Sequence, residues 1–305
     1  MPYRFRRHES VADGIRRIVR EEVLKAVDAA ESDQRATAER VHDVRTSCKK
    51  IRGVLRIARP ALKDCYQREN VWFRDAARSL SEFRDATVVL DLFDDLARDL
   101  TGDRSAVADM RSHIESQVKP ADTSDVVNRL QSVSGSFRGR LVEIDDWQIK
   151  ESGFTSLGRG WEDVYRRGRQ AMRQALHSSN ADDARDAVDW HEWRKQAKYH
   201  WYQVRLFRNV WKPVMQARRS ELNRLTDLLG CDHDLTVLAA TVSALDEAPA
   251  DAVASLLPRI DDRRRQLRSA ARPLGQRLYA ESPKAFRKRM RRYWKIWRAD
   301  GTPTV

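Results

Sequence analysis

The sequence predicts an all-α protein made of two similar helical bundles packed about a pseudo-twofold axis. Three observations carry this reading. Nearly every segment between turn signals repeats its apolar residues with a helical period. Only 12 Gly and 9 Pro occur in 305 residues, too few for a strand-and-turn architecture. The chain also matches itself at an offset of 149 residues.

Helices are expected near 11–30, 36–58, 62–83, 86–100, 103–118, 123–145, 156–177, 183–209, 214–229, 234–247, 252–280 and 284–298. Ser10 stands where an N-cap belongs, and Ser282 caps the last helix with Pro283 at its first position. Pro60 and Pro213 are read as following long helices, while Gly230 and Pro249 punctuate later ones. No segment reads convincingly as a strand. The chain ends in a basic helix and a short polar tail, 299–305.

Charge points to partners more than to fold. With 58 Lys and Arg against 45 Asp and Glu, the net charge of +13 favours polyanions: nucleic acid, anionic lipid or phosphate polymers. Cys48, Cys65 and Cys231 have no metal-ligand spacing and are expected to be buried thiols in a reducing compartment. The basic start, MPYRFRRHES, leads into a charged amphipathic stretch. No run approaches the ~18 apolar residues of a membrane span. A cytoplasmic location is expected.

The 149-residue offset lays His42 on His191, Arg45 on Arg194, Lys49 on Lys198, Arg56 on Arg205 and Arg59 on Arg208. Without a gap it also lays Leu80 on Leu229, Asp85 on Asp234, Thr87 on Thr236 and Val88 on Val237. Such matches at one offset, in two blocks, indicate a duplicated unit, with halves at about 3–150 and 151–298.

His42, Arg45, Lys49, Arg52 and Arg56 step by three and four, which places them within an arc of roughly 80° along about 21 Å of helix. Val41, Val44, Cys48, Ile51, Leu55 and Ala58 form the opposite, apolar stripe. In the second copy His191, Arg194, Lys198 and Arg205 are basic, and Trp190, Trp193, Ala197, Val204 and Phe207 apolar. Like charges at these spacings cost on the order of 0.2–0.5 kcal/mol per pair. A bound polyanion relieves that cost, with Arg as a bidentate fork and Lys as a mobile point charge. A solvated charged face is the plainer explanation of one stripe, but two copies in the same phase weaken it. Each histidine, beside an anion, is a candidate for protonation below about pH 7. Asp85 and Asp234 are read first as N-caps and second as salt-bridge partners orienting an arginine.

Five segments carry a family resemblance: RFRRHESVADGIRRIVREEV, VHDVRTSCKKIRGVLR, SEFRDATVVL, WHEWRKQAKYHWYQVRLF and LLGCDHDLTVL. With their paired H-x-x-R-x-x-x-K pattern they resemble the CHAD domain, the conserved histidine α-helical domain, of the stand-alone type. The resemblance covers about residues 3–298 as a single domain. It implies two four-helix bundles around a basic central cavity that binds inorganic polyphosphate, with association to polyphosphate granules. The contacts it implies are His42, Arg45, Lys49, Arg52, Arg56, His191, Arg194, Lys198 and Arg205. Tyr202 falls where the second motif often has a tyrosine. Arg17 and Arg20 on the first helix and Arg84 at the Arg-Asp junction are weaker candidates. Trp201 departs from the family pattern, standing where many relatives place the arginine that matches Arg52, and His233 replaces the second-copy match of Arg84.

The E-x-E-x-K strand of the triphosphate-tunnel hydrolases fused to some relatives is absent, as are a P-loop, H-E-x-x-H and a zinc-type Cys/His spacing. His42-Asp43 and His191-Glu192 are adjacent on helices and so diverge by about 100°, a poor acid–base geometry. Asp91, Asp94 and Asp95 are read as a solvated acidic face before a Mg²⁺ site. Neither catalysis, a cofactor nor a resident metal is expected. Two other function classes stay open. Lys284 to Arg298 mixes bases with Tyr293, Trp294 and Trp297, which suits nucleic acid or a scaffold on a granule surface. It equally suits a terminal helix packing its rings onto the bundle.

Overall fold

The computed structural model describes residues 3–80, 82–98, 104–117, 123–149, 153–178, 183–245 and 249–300, with side chains described at all of these except 82–88, 104, 117, 123, 183 and 184. Among the described residues there are eleven helices and no strand. These are α1 (Val11–Glu31), α2 (Thr37–Leu62), α3 (Asp64–Arg78), α4 (Glu82–Ala97), α5 (Arg104–Gln117) and α6 (Thr123–Asp145), followed by α7 (Thr155–Ser178), α8 (Asp183–Leu206), α9 (Lys212–Ser243), α10 (Ala250–Leu278) and α11 (Pro283–Ala299).

The caps explain two of the boundaries. Ser10 Oγ accepts a hydrogen bond from the Asp13 amide at 3.0 Å, and Ser282 Oγ one from the Ala285 amide at 3.2 Å, with Pro283 in the first turn. Each satisfies one amide that has no partner inside the helix.

α2 holds the centre. It packs against α1, α3, α7 and α8, while α7, α8, α9 and α10 pack as successive neighbours. α6 lies on α1, α4 on α9 and α5, and α11 on α7. Both expected apolar stripes are buried, so the amphipathic reading of α2 and α8 holds residue by residue. One large core runs through α1, α2, α3, α6, α7, α8, α11, the first half of α9 and the C-terminal end of α10 (Ala271, Leu274 and Leu278). A second cluster joins α4, α5 and α10 to the far half of α9. In the large core Trp161 stacks on Phe207 at 4.1 Å and Tyr165 on Phe286 at 4.3 Å.

Some expectations are corrected. Gly230 does not end a helix, because α9 runs unbroken from Lys212 to Ser243. Asp234 therefore lies inside a helix and is not an N-cap. Asp85 lies within α4, and its side chain, like that of Arg84, is outside the described residues. Pro60 sits within the last turn of α2 instead of after it. There it removes only the amide that would have bonded the Arg56 carbonyl. Of the three thiols only Cys48 is buried; Cys65 is half-buried and Cys231 exposed.

Buried ion pairs stitch the layers. Arg268 of α10 pairs with Asp186 of α8 and, at 2.8 Å, with Asp232 of α9, while the Trp190 indole donates to Asp186 at 3.1 Å. Glu22 of α1 receives Lys25 at 2.5 Å and Lys50 of α2 at 2.9 Å. Buried acids such as these are tolerated because their partners offset desolvation.

Candidate functional site: paired cationic helix faces

The α2 stripe sits as its spacing demands. His42 is exposed, and Arg45, Lys49, Arg52 and Arg56 are half-buried along one face. Their positive charges converge on Cys48 behind them. Burial pushes that thiol up to about 12, while Arg52, Arg45 and Lys49 pull it down. Burial and the neighbouring Arg56 both lower the pKa of Arg52.

What holds these guanidinium groups is largely neutral. Arg52 Nε donates to Asn70 Oδ1 at 3.3 Å. Arg56 donates to the Tyr199 hydroxyl at 3.1 Å, and its guanidinium carbon lies 3.9 Å from the centre of that ring. Arg56–Tyr199 is thus a bridge from the first stripe to α8. Just beside it the two helices meet at Gly53, where an added Cβ would come within 3.0 Å of Tyr202 Cβ.

On α8, Trp201 organises the second stripe. Lys198 Nζ lies 4.8 Å and the Arg205 guanidinium 4.6 Å from its ring, and Arg205 also lies 5.6 Å from the Tyr3 ring. In place of an arginine, this chain has an aromatic platform carrying two cations. The indole Nε1 is itself buried without a hydrogen-bond partner among the described residues. Arg52, Arg56 and Arg205 have no ion pair with a described carboxylate.

At the head of the second stripe, His191 Nδ1 lies 3.3 Å from His233 Nδ1 of α9. Burial lowers the pKa of His191, and Arg194 and Lys195 lower it further. Burial, then Arg194 and His191, bring His233 down to about 4. With no anion bound, both rings are neutral near pH 7. The expected protonation would have to be induced by a ligand.

The other candidates are placed differently. Tyr202 is 3% exposed and packs at the α2–α8 seam beside Tyr3, with its pKa raised by burial to about 12. The tyrosine that reaches the stripe is Tyr199. Arg17 is held by Glu9 at 2.7 Å and Glu21 at 3.0 Å, and Arg20 by Asp145. On α4, Asp94 is taken by Arg111 at 2.9 Å and Asp95 by Arg98 at 2.9 Å. Sequence reading missed Tyr199 and Tyr3 as members of the site, and noted His233 only as the residue replacing the second-copy match of Arg84. Tyr199 follows Lys198 directly and carried no motif signal, and Tyr3 reaches α8 only through the tertiary fold.

Fold and site together define an all-helical protein with two cationic helix faces joined through aromatic residues. The chain belongs to the CHAD domain family, which its sequence matches over residues 19–243. Among solved structures it is similar to PptA from Streptomyces chartreusis, with a TM-score of 0.58 and 15% identity over 90% of this chain and 100% of that one. At that identity the likeness is one of fold. No curated protein matches the chain.

Proposed function

We propose that the protein binds inorganic polyphosphate without catalysis, along the faces of α2 and α8. His42, Arg45, Lys49, Arg52 and Arg56 contact the polymer from one helix, and His191, Arg194, Lys198 and Arg205 from the other. Tyr199 and Trp201 position the cations. One observation carries this reading: Arg52, Arg56 and Arg205 are oriented by an amide, a phenol and aromatic rings, groups that fix a cation without neutralising it. Membership in the CHAD family supports polyphosphate as the anion, which the residues alone leave at polyanion. Residence at polyphosphate granules belongs to the same reading.

Nucleic acid is disfavoured by the placement of the aromatic residues. Trp294 and Trp297 are buried in the bundle and Tyr293 is half-buried against Trp211, so α11 presents no row of exposed rings of the kind that single strands use. The test is titration of the Arg45→Ala/Lys49→Ala/Arg194→Ala/Lys198→Ala variant with long-chain polyphosphate, RNA and duplex DNA at about 0.15 M salt. Four lost charge-assisted contacts should weaken polyphosphate binding by about 100-fold or more while far-UV circular dichroism is unchanged. Wild-type affinity in that variant, or displacement of polyphosphate by nucleic acid at equal phosphate concentration, would overturn the reading.

A further inference from the structure

A second cationic row lies on α11, outside the segment that matches the family. The helix buries Phe286, Met290, Trp294 and Trp297, and it exposes Lys284, Lys288, Arg291 and Lys295. These four step by four, three and four, so they share an arc of roughly 60° over about 16 Å. None has an ion pair or a hydrogen-bond partner among the described residues, unlike Arg111 or Arg138, which sit on carboxylates.

The row forms one wall of a groove against the start of α7. Lys284, Lys288 and Arg291 face Thr155, Gly158 and Arg159 in one stretch. Arg291 and Lys295 face Gly153, Phe154 and Thr155 in the next. The stretches share Phe154, Thr155 and Arg291, making one trough, and no carboxylate among the described residues lines it. Of the flanking arginines, Arg287 is held by Glu162 at 3.1 Å, and Arg298 by the carbonyls of Arg7 and of Glu9, the latter at 2.7 Å.

We infer that the α7–α11 groove is a second site for an extended phosphate polymer, which grips the part of a long chain that the α2–α8 faces leave uncovered. The inference rests on polyphosphate being the ligand at those faces. Unneutralised cations three and four residues apart repel one another, and a linear polyanion removes that repulsion along the whole row. The rings that line the groove, Phe154 and Trp294, are only 7% and 4% exposed, so neither stands free for a base to stack on and the site reads charge. α7 packs on both α2 and α11, so the groove lies one helix layer from the first site. A chain already held there presents its free end at high effective concentration.

The test uses the full chain with Lys284→Gln, Lys288→Gln, Arg291→Gln and Lys295→Gln combined, and as control the charge-preserving Lys284→Arg/Lys288→Arg/Arg291→Lys/Lys295→Arg variant. Affinity is measured for chains of about ten and about a hundred phosphates, expecting short-chain binding within about twofold of wild type and long-chain binding at least about tenfold weaker with a shallower salt dependence. The control variant should bind both lengths like wild type. Long-chain affinity and salt slope equal to wild type in the Gln variant would overturn the second site while leaving the first intact. Failure of the wild-type chain to bind either length would overturn the polyphosphate reading itself, and the groove with it. Loss of oligo-dT binding alone in the Gln variant would assign the groove to nucleic acid and overturn the inference.

Discussion

At the scale of single residues, His191 and His233 should make the proposed site sensitive to pH. The ring nitrogens lie 3.3 Å apart with Arg194 acting on both, so a proton on either is opposed by burial and by positive charge. A phosphate chain bound there, as proposed, should reverse the balance and raise both pKa values. Binding then takes up protons, so affinity should rise as pH falls from 7 toward 5. Calorimetry in buffers of different ionisation enthalpy measures that uptake, and His191→Gln/His233→Gln should lack it. The folding equilibrium responds with the opposite sign. His233 titrates at about 4 in the fold and near 6.5 when unfolded, so between those values the unfolded chain binds more protons. Stability without ligand should therefore be unaffected by this group above pH 6.5 and fall as pH drops toward 4. Urea midpoints at pH 7 and 5 check it, and His233→Gln should narrow the difference. Trp201 makes a second residue-scale case. Losing two cation–π contacts of ~0.5–1 kcal/mol each should weaken polyphosphate binding about 5- to 30-fold in Trp201→Ala. Trp201→Phe, which keeps a ring beneath Lys198 and Arg205, should lose less, and equal losses would remove the platform role.

At the scale of helices, glycine separates what was legible in the sequence from what was not. The two stripes follow from spacing alone, because 3.6 residues per turn sorts α2 and α8 into basic and apolar faces whatever surrounds them. The unbroken course of α9 does not follow. A glycine inside a helix costs only about 1 kcal/mol, and α9 recovers more by anchoring both its ends: Leu225 and Leu229 in the large core, Leu235, Leu238 and Val242 in the second cluster. Tertiary burial therefore overrides Gly230 as a stop. Gly160 carried no signal in the sequence, yet it sets the α2–α7 crossing. A Cβ there would overlap the carbonyl oxygen of Ile57 and crowd that of Arg56, backbone atoms with no rotamer to escape into. Gly160→Ala should destabilise by about 1–3 kcal/mol and displace Arg56 from the stripe. Gly139→Ala on α6, where nothing lies within 4 Å, should stabilise by about 0.5–1 kcal/mol. Denaturant unfolding of both variants measures the contrast, and a Gly160→Ala protein as stable as wild type would mean that the helices separate without cost.

At the scale of the whole molecule, the same charges act on folding and on binding with opposite dependence on salt. The chain carries +13, with unneutralised cations on α2, α8 and α11, so the ligand-free fold works against its own field. Salt screens that repulsion with a Debye length falling from ~30 Å at 0.01 M to ~8 Å at 0.15 M. The melting temperature of the free protein should rise over this range. Polyphosphate affinity should fall over it, because each neutralised phosphate releases bound counterions. If the polymer binds only the folded chain, as proposed, it should raise the melting temperature by an amount that is large at 0.01 M and shrinks with salt, so that the curves with and without ligand converge. A fold held by apolar burial alone, with its cations merely solvated, would show a flat ligand-free curve and no convergence. Calorimetric scans at four or five salt concentrations, with and without polymer, distinguish the two. The groove variant on α11 should flatten the ligand-free curve in part, because it removes four of the positive charges that screening relieves.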